Sequence, residues 1–227
     1  MATARKLTGV RAFLARKMRQ SLQQTAQLTF MGEFDATAVL AARASFKKQG
    51  LPASVEDMII RELAQTVREF PLFNSCWDGE GLKEEDTINV SIAIDTDNGL
   101  MAPALFDVEV MDLQDMAEKR RELVDRARKN QLSVTEQTGG TITVSNLGMT
   151  RVRFFTPILN FPQVALLGIG MVDRRAVFSS NGELIEKPFI GLSLTVDHAV
   201  IDGAPAGRFL TRLCERLEHM DLSDGKE

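Results

Sequence analysis

The segment LSLTVDHAVIDGAPAGRFL, Leu192 to Leu210, constrains the fold more than any other part of the chain. Just before and within it, Ile190, Leu192, Leu194 and Val196 alternate with Gly191, Ser193 and Thr195. Alternation with a period of two is the signature of a β-strand that buries one face and lines the other with small residues. Asp197 and His198 close the strand. After Asp202-Gly203 the pattern becomes helical, with Phe209, Leu210, Leu213 and Leu217 on one side. Asp202 suits an N-cap and Pro205 suits a first helical turn. The chain therefore delivers a histidine where a sheet strand passes into a helix. If the pleat persists, His198 keeps the apolar parity and points into packed protein or a channel. Two readings follow. His198 is a satisfied core histidine beside a capping aspartate, or it is a general base, since an imidazole with a pKa of about 6.5 takes and returns a proton near neutrality. In the second reading Asp202 fixes the loop that aims the ring.

With 227 residues there is enough chain for one large domain or two small ones. Helices are expected near 9–23, 36–48, 54–69, 112–130 and 204–219. Strands are expected near 26–34, 87–95, 101–105, 140–145, 164–172, 175–179 and 187–197. SSNGE at 179–183 carries the Asn-Gly hairpin signal, and DTDNGL at 95–100 reads as another turn. No repeat, low-complexity stretch or Pro/Ser linker divides the chain, so a single α/β domain is the simplest organisation. No glycine-rich phosphate loop follows the first strand, and GIGMVD at 168–173 lacks dinucleotide-binding spacing.

Composition excludes several classes of partner. The net charge of -4 and a pI near 5.4 argue against a nucleic-acid surface. Arg11, Arg16, Lys17, Arg19, Arg120 and Arg121 are expected on solvated helix faces, where they could still meet the phosphates of a small ligand. No apolar run approaches the ~18 residues of a membrane helix. The basic, amphipathic N-terminus lacks a signal core and reads as the first helix. Cys76 and Cys214 stand far apart without metal-ligand spacing. They are expected as reduced thiols of a cytoplasmic protein that binds no metal.

DHAVIDG, with His198 and Asp202, resembles the His-x-x-x-Asp-Gly signature of the dihydrolipoyl acyltransferases, the core subunits of 2-oxo acid dehydrogenase complexes, and of the chloramphenicol acetyltransferases that share their fold. GGTITVSNLGM at 139–149, FTPILNFPQVALLGIG at 155–170, DNGLMAPAL at 97–105, FPLFNSCWDG at 70–79 and LTGVRAFLARKM at 7–18 are similar to further family segments. The resemblance is collinear over about residues 7–217. It implies a chloramphenicol acetyltransferase-like two-layer fold, a mixed β-sheet with helices packed on one face, assembled as a trimer with active sites between subunits.

The activity implied is acyl transfer between coenzyme A and a dihydrolipoyl thiol in a 2-oxo acid dehydrogenase complex such as pyruvate dehydrogenase. His198 would take the proton of the attacking thiol, and Ser145 would donate to the oxyanion. In one site the serine and the histidine come from different chains. Asn146 is expected to hold the turn, and Asp202 to organise the loop through a buried ion pair with Arg11 or Arg16.

The sequence departs from the family in three respects. Ala199 replaces the arginine usual after the histidine. The chain shows neither a lipoyl nor a subunit-binding domain, so residues 1–227 are expected to be a single catalytic domain served by a lipoyl group on another protein. The polar end RLEHMDLSDGKE is expected to leave a trimer without a larger cage. Ala204-Pro205-Ala206 after the Asp-Gly is closer to acetyl and branched-chain members than to succinyl ones, with acetyl the first expectation. Two alternatives remain: a catalytically weak assembly core for dehydrogenase partners, and a small-molecule O-acetyltransferase.

Overall fold

The alternation read in the sequence becomes two unlike faces of one sheet. The computed structural model describes residues 6–79, 81–97 and 99–220. The central sheet has six strands: β1 (Gln27–Asp35), β4 (Val90–Ile92), β7 (Ala104–Leu105), β8 (Ile142–Asn146), β9 (Ala165–Phe178) and β10 (Leu184–Asp197). Their order is β1-β10-β9-β8-β4-β7. β8 runs parallel to β4 and β9, and the other pairs are antiparallel, so the sheet is mixed, as expected. Two short pairs lie outside it: β2 (Ser75–Trp77) with β3 (Leu82–Glu84), and β5 (Ile94–Thr96) with β6 (Gly99–Met101).

On the first face, Phe34, Leu192, Leu194, Val196, Leu167, Ile169, Ile142 and Val144 are all buried. Helices α2 (Thr37–Lys48), α3 (Val55–Glu69) and α6 (Gly203–Glu218) form the layer over it. Side chains that alternate in the strand thus meet side chains spaced by three and four in the helices. The Phe209 ring of α6 stacks on Phe73 with centroids 4.1 Å apart. Burying such a ring stabilises the fold by roughly 1.5–3 kcal/mol. Gly32 of β1 lies under α6, where a Cβ would come within 3.1 Å of Leu210.

α3 begins with a capping box. Ser54 Oγ accepts from the Asp57 amide at 3.2 Å, and Asp57 Oδ2 accepts from the Ser54 amide at 2.8 Å. The same Asp57, fully buried, pairs with Arg120 of α4 (Leu113–Arg128), which also reaches Glu56 at 3.2 Å. Arg120 is therefore not on a solvated face, as its sequence neighbours had suggested. It neutralises two carboxylates packed at the start of α3, where leaving them unpaired would be costly.

The second face carries Thr143, Ser145, Gly168, Ser193 and Thr195. The segment 151–163, which has no regular secondary structure, lies across it. The Phe155 amide donates to Ser193 Oγ at 3.2 Å, and the Phe155 ring rests on Gly168, where a Cβ would be 2.7 Å away. α1 (Gly9–Gln24) is tied to this segment at its C-terminal end, where Ser21 Oγ donates to the Leu159 carbonyl at 2.7 Å. Gln27 completes the tie, accepting from the Leu159 amide at 3.1 Å.

The expected helices agree with the observed ones within two residues at each end. The strands expected at 164–172 and 175–179 are one continuous β9, and the strand expected at 87–95 is divided at Ala93. β2, β3 and the short helix α5 (Val134–Thr138) were not expected. Among the described residues no helix is long and apolar enough to cross a membrane. Residues 1–5 and 221–227, on which the expectations about the start and about a trimer without a larger cage partly rest, lie outside the described residues.

Candidate active site

β10 stops at Asp197, and the turn that follows is held from three directions. The Asp197 carboxylate is fully buried. Its Oδ1 accepts from the Ala26 amide at 3.0 Å and the Ala199 amide at 3.1 Å, and its Oδ2 accepts from Trp77 Nε1 at 3.0 Å. A buried carboxylate is tolerated only when its lone pairs are used, and here three N–H donors use them. The His198 amide donates to the Ala26 carbonyl at 2.8 Å, while the Val200 and Ile201 amides return to the Asp197 carbonyl at 3.0 and 2.9 Å. The backbone around His198 is thus fixed to Ala26, just before β1, and to itself, while the Asp197 carboxylate ties the turn to Trp77 of β2.

The ring itself is open. The His198 side chain is 46% exposed. An inward ring requires the strand to continue through His198, but β10 ends at Asp197 and the turn leaves the imidazole exposed. The core-histidine reading is therefore set aside within this chain. Asp202 occupies the N-cap position of α6, with φ -71° and ψ 164°, yet its side chain caps no amide. It is 82% exposed, and its Oδ1 lies 4.0 Å from His198 Nδ1. That distance is too long for a hydrogen bond. Among the described residues of one chain, the expected buried ion pair of Asp202 with Arg11 or Arg16 is not formed.

Ser145 lies elsewhere. It is partly buried on the second sheet face, one residue before the end of β8, and lines a cavity of about 460 Å³ between α1, β6 and the 151–163 segment. Val10, Leu14, Met18, Phe155 and Ile158 supply apolar walls. Nearby polar groups are mostly engaged. Thr143 Oγ1 donates to Gln163 Oε1 at 2.5 Å and accepts from Asn160 Nδ2 at 3.3 Å. Ser145 Oγ has no hydrogen-bond partner among the described residues, so it is available as a donor to a ligand. Asn146 points the other way. Its Oδ1 accepts from the Gly148 amide at 2.8 Å, so it holds the turn as expected.

The sheet register separates the two candidates. Ser145 is opposite Gly168 in β9, Gly168 is opposite Ser193 in β10, and His198 follows five residues later. At about 3.3 Å per residue and about 4.8 Å per strand, the two Cα atoms are roughly 19 Å apart. A single chain does not bring them together around one reacting carbonyl.

Burial pushes the thiols of Cys76 and Cys214 up to about 11 and about 12, so neither is poised as a nucleophile near neutrality. Asp197 and Trp77 are the site residues that sequence reasoning missed. The available signal was an acidic residue at the end of an apolar strand, together with the one tryptophan of the chain.

Comparison with known proteins shows the family of this chain. The chain is 30% identical to the dihydrolipoyllysine-residue acetyltransferase component of the pyruvate dehydrogenase complex of Bacillus subtilis, over 97% of this chain and 51% of that protein. It spans about half the length of the curated relatives it matches. The dihydrolipoamide acetyltransferase of Azotobacter vinelandii superposes with a TM-score of 0.88 at 29% identity, covering 96% of this chain and 92% of that one. That structure was determined to establish the roles of a serine, a histidine and an asparagine in catalysis. Its asparagine stands four residues after its histidine, as Asp202 stands four after His198. A chloramphenicol acetyltransferase shares the fold, with a TM-score of 0.55 at 20% identity over 89% of this chain and 92% of that one. The family model for 2-oxoacid dehydrogenases acyltransferase (catalytic domain) matches residues 2–223, and the chain belongs to that family.

Proposed function

We propose that the protein transfers an acyl group, with acetyl the first candidate, between coenzyme A and a dihydrolipoyl thiol, in a site built from two copies of the chain. The observation that carries this reading is the division of the machinery. One region presents an open, backbone-fixed imidazole, and another presents an unpartnered hydroxyl in an apolar cavity. Neither is complete without the other, and the register holds them roughly 19 Å apart in one chain. Symmetric association lets the His198 turn of one copy face the Ser145 cavity of the next. Val10 and Phe13 of α1 and Leu100 of β6 are exposed at the cavity, which suits them to be covered by a neighbouring copy. A closed trimer is the arrangement proposed.

In this site the thiol enters with its proton, since a thiol with a pKa of about 8.5 is mostly neutral at pH 7. The His198 imidazole removes the thiol proton as sulfur attacks the thioester carbonyl, and Asp202 organises the loop that carries the ring. The carbonyl oxygen gains charge and receives the Ser145 hydroxyl. Collapse of the tetrahedral intermediate breaks the original C–S bond, and His198 returns the proton to the leaving thiolate. Asp197 takes no part in proton transfer; it fixes the turn that aims the base.

The test is acetyl transfer from acetyl-coenzyme A to free dihydrolipoamide, with wild type beside His198→Ala and the mass of each assembly determined. Loss of transfer in a variant of unchanged mass supports the reading. An inert wild type of the same mass contradicts it and turns attention to a scaffold role or a hydroxyl acceptor.

A further inference from the structure

Lys17 sits in α1 one turn after Phe13, and its side chain lines the same cavity as Ser145. It is half-buried and makes no hydrogen bond or ion pair among the described residues. Burial alone lowers its pKa from the ordinary lysine value, because no carboxylate compensates for the water it has lost. Several other cations of this protein are matched: Arg120 with Asp57 and Glu56, Arg126 with Glu136, Lys187 with Asp35. Lys17 instead lines a partly apolar cavity that also holds the unpartnered Ser145 hydroxyl. The acyltransferase reading does not use it.

We propose that Lys17 is a second acyl acceptor, whose side-chain nitrogen is acylated by the thioester bound in the Ser145 cavity. This inference rests on the acyltransferase reading above. The neutral amine is the nucleophile, and removing an ammonium from water favours that form. Nitrogen attacks the thioester carbonyl, and the Ser145 hydroxyl supports the oxyanion as it does in thiol transfer. An N–C bond forms and the C–S bond breaks. The proton released from nitrogen accompanies the leaving coenzyme A thiol, so the products are an amide and free thiol, with no oxidant or further reactant required. The product also removes an unpaired charge from a wall otherwise formed by Val10, Leu14 and Met18. An amide is far more stable than a thioester, so the modification would persist and narrow the cavity used by the normal substrate.

The experiment incubates the assembled protein with acetyl-coenzyme A and no acceptor thiol, then follows each lysine by peptide mass spectrometry. Lys47, Lys48, Lys119 and Lys129, all exposed, serve as internal references. Lys17 is expected to be acetylated about tenfold or more faster than these, in keeping with a larger neutral fraction and a bound donor. Ser145→Ala is expected to slow Lys17, and not the references, by about tenfold or more. The same preparation is assayed for transfer to dihydrolipoamide. Normal transfer with Lys17 modified no faster than the references, or with Lys17 indifferent to Ser145→Ala, overturns this inference alone. Absence of both reactions overturns the acyltransferase reading, and this inference falls with it.

Discussion

The His198 turn and the Ser145 cavity are built by opposite means. The turn is over-determined: a buried carboxylate accepts three hydrogen bonds, and the backbone is tied to Ala26 and back to Asp197. The side chain it carries is nevertheless open to solvent. The cavity is the reverse, with a partly buried hydroxyl among apolar walls and no partner of its own. A base must be aimed, which calls for a rigid mount. An oxyanion donor must be kept from competing acceptors, which calls for a dry and unoccupied surround. The difference suits each region to its own part of the shared site proposed above.

Mutations can break this contrast, and the largest effect is expected at the base. His198→Ala removes the imidazole and leaves the Asp197 mount intact. The account predicts a loss of about 10²–10⁴ in kcat with unchanged assembly and thermal midpoint. Steady-state kinetics beside calorimetry check it. Ser145→Ala should cost about 10²–10³ in kcat with little change in KM, because the hydroxyl is used only when the oxyanion develops. A change confined to KM would instead make Ser145 a ground-state contact.

Asp197→Ala attacks the mount. It strands the Trp77 indole N–H and the Ala26 and Ala199 amides, and an orphaned buried donor costs about 1–3 kcal/mol. Urea unfolding should therefore show a loss of about 3 kcal/mol or more, and any folded fraction should have impaired turnover. Asp197→Asn, which keeps one acceptor oxygen, should lose clearly less stability. Equal losses in the two variants would mean that carboxylate charge, not hydrogen bonding, holds the turn.

The smallest effect is expected at the cavity rim. Glu136 of α5, beside the cavity-lining Gln137, completes a capping box with Ser133 and pairs with Arg126. These partners lower its pKa from 4.5 to about 2, the Arg126 hydrogen bond most of all. Because the folded-state value is the lower one, the stabilisation is present above about 4.5 and is lost as pH falls through about 2. Glu136→Gln should thus cost no more than ~1 kcal/mol at neutral pH, as for other surface pairs. Unfolding curves of variant and wild type should converge as the pH is lowered.

Much of this architecture was legible in the sequence because it is local. Periodicity marks the five long helices, Asn-Gly marks the β9–β10 hairpin, and the motif around His198 and Asp202 spans few residues. What escaped depends on contacts between distant parts of the chain. Arg120 reads as one more charge on an exposed face until α3 brings the Asp57 capping box against it. Asp197 reads as a polar strand end until Ala26 and Trp77 arrive with their N–H groups. β2 and β3 are three residues each and too short for a period to show. The outward swing of His198 was missed because one residue of strand length reverses a side chain's direction. The apolar surround of Ser145 was hidden because its walls come from α1, β6 and a segment without regular structure.

The central claim is that His198 and Ser145 act together across two copies of the chain. Mixing the two inactive variants tests it most directly. His198→Ala retains the serine and Ser145→Ala retains the base, so co-assembly from equal amounts creates some interfaces with both groups intact. In a closed ring with one site per interface, random mixing should restore about a quarter of wild-type acetyl transfer to dihydrolipoamide. Recovery near that level, appearing only after subunits exchange, is the predicted result. Hybrid assemblies verified by native mass spectrometry that remain as inactive as their parents would contradict the account.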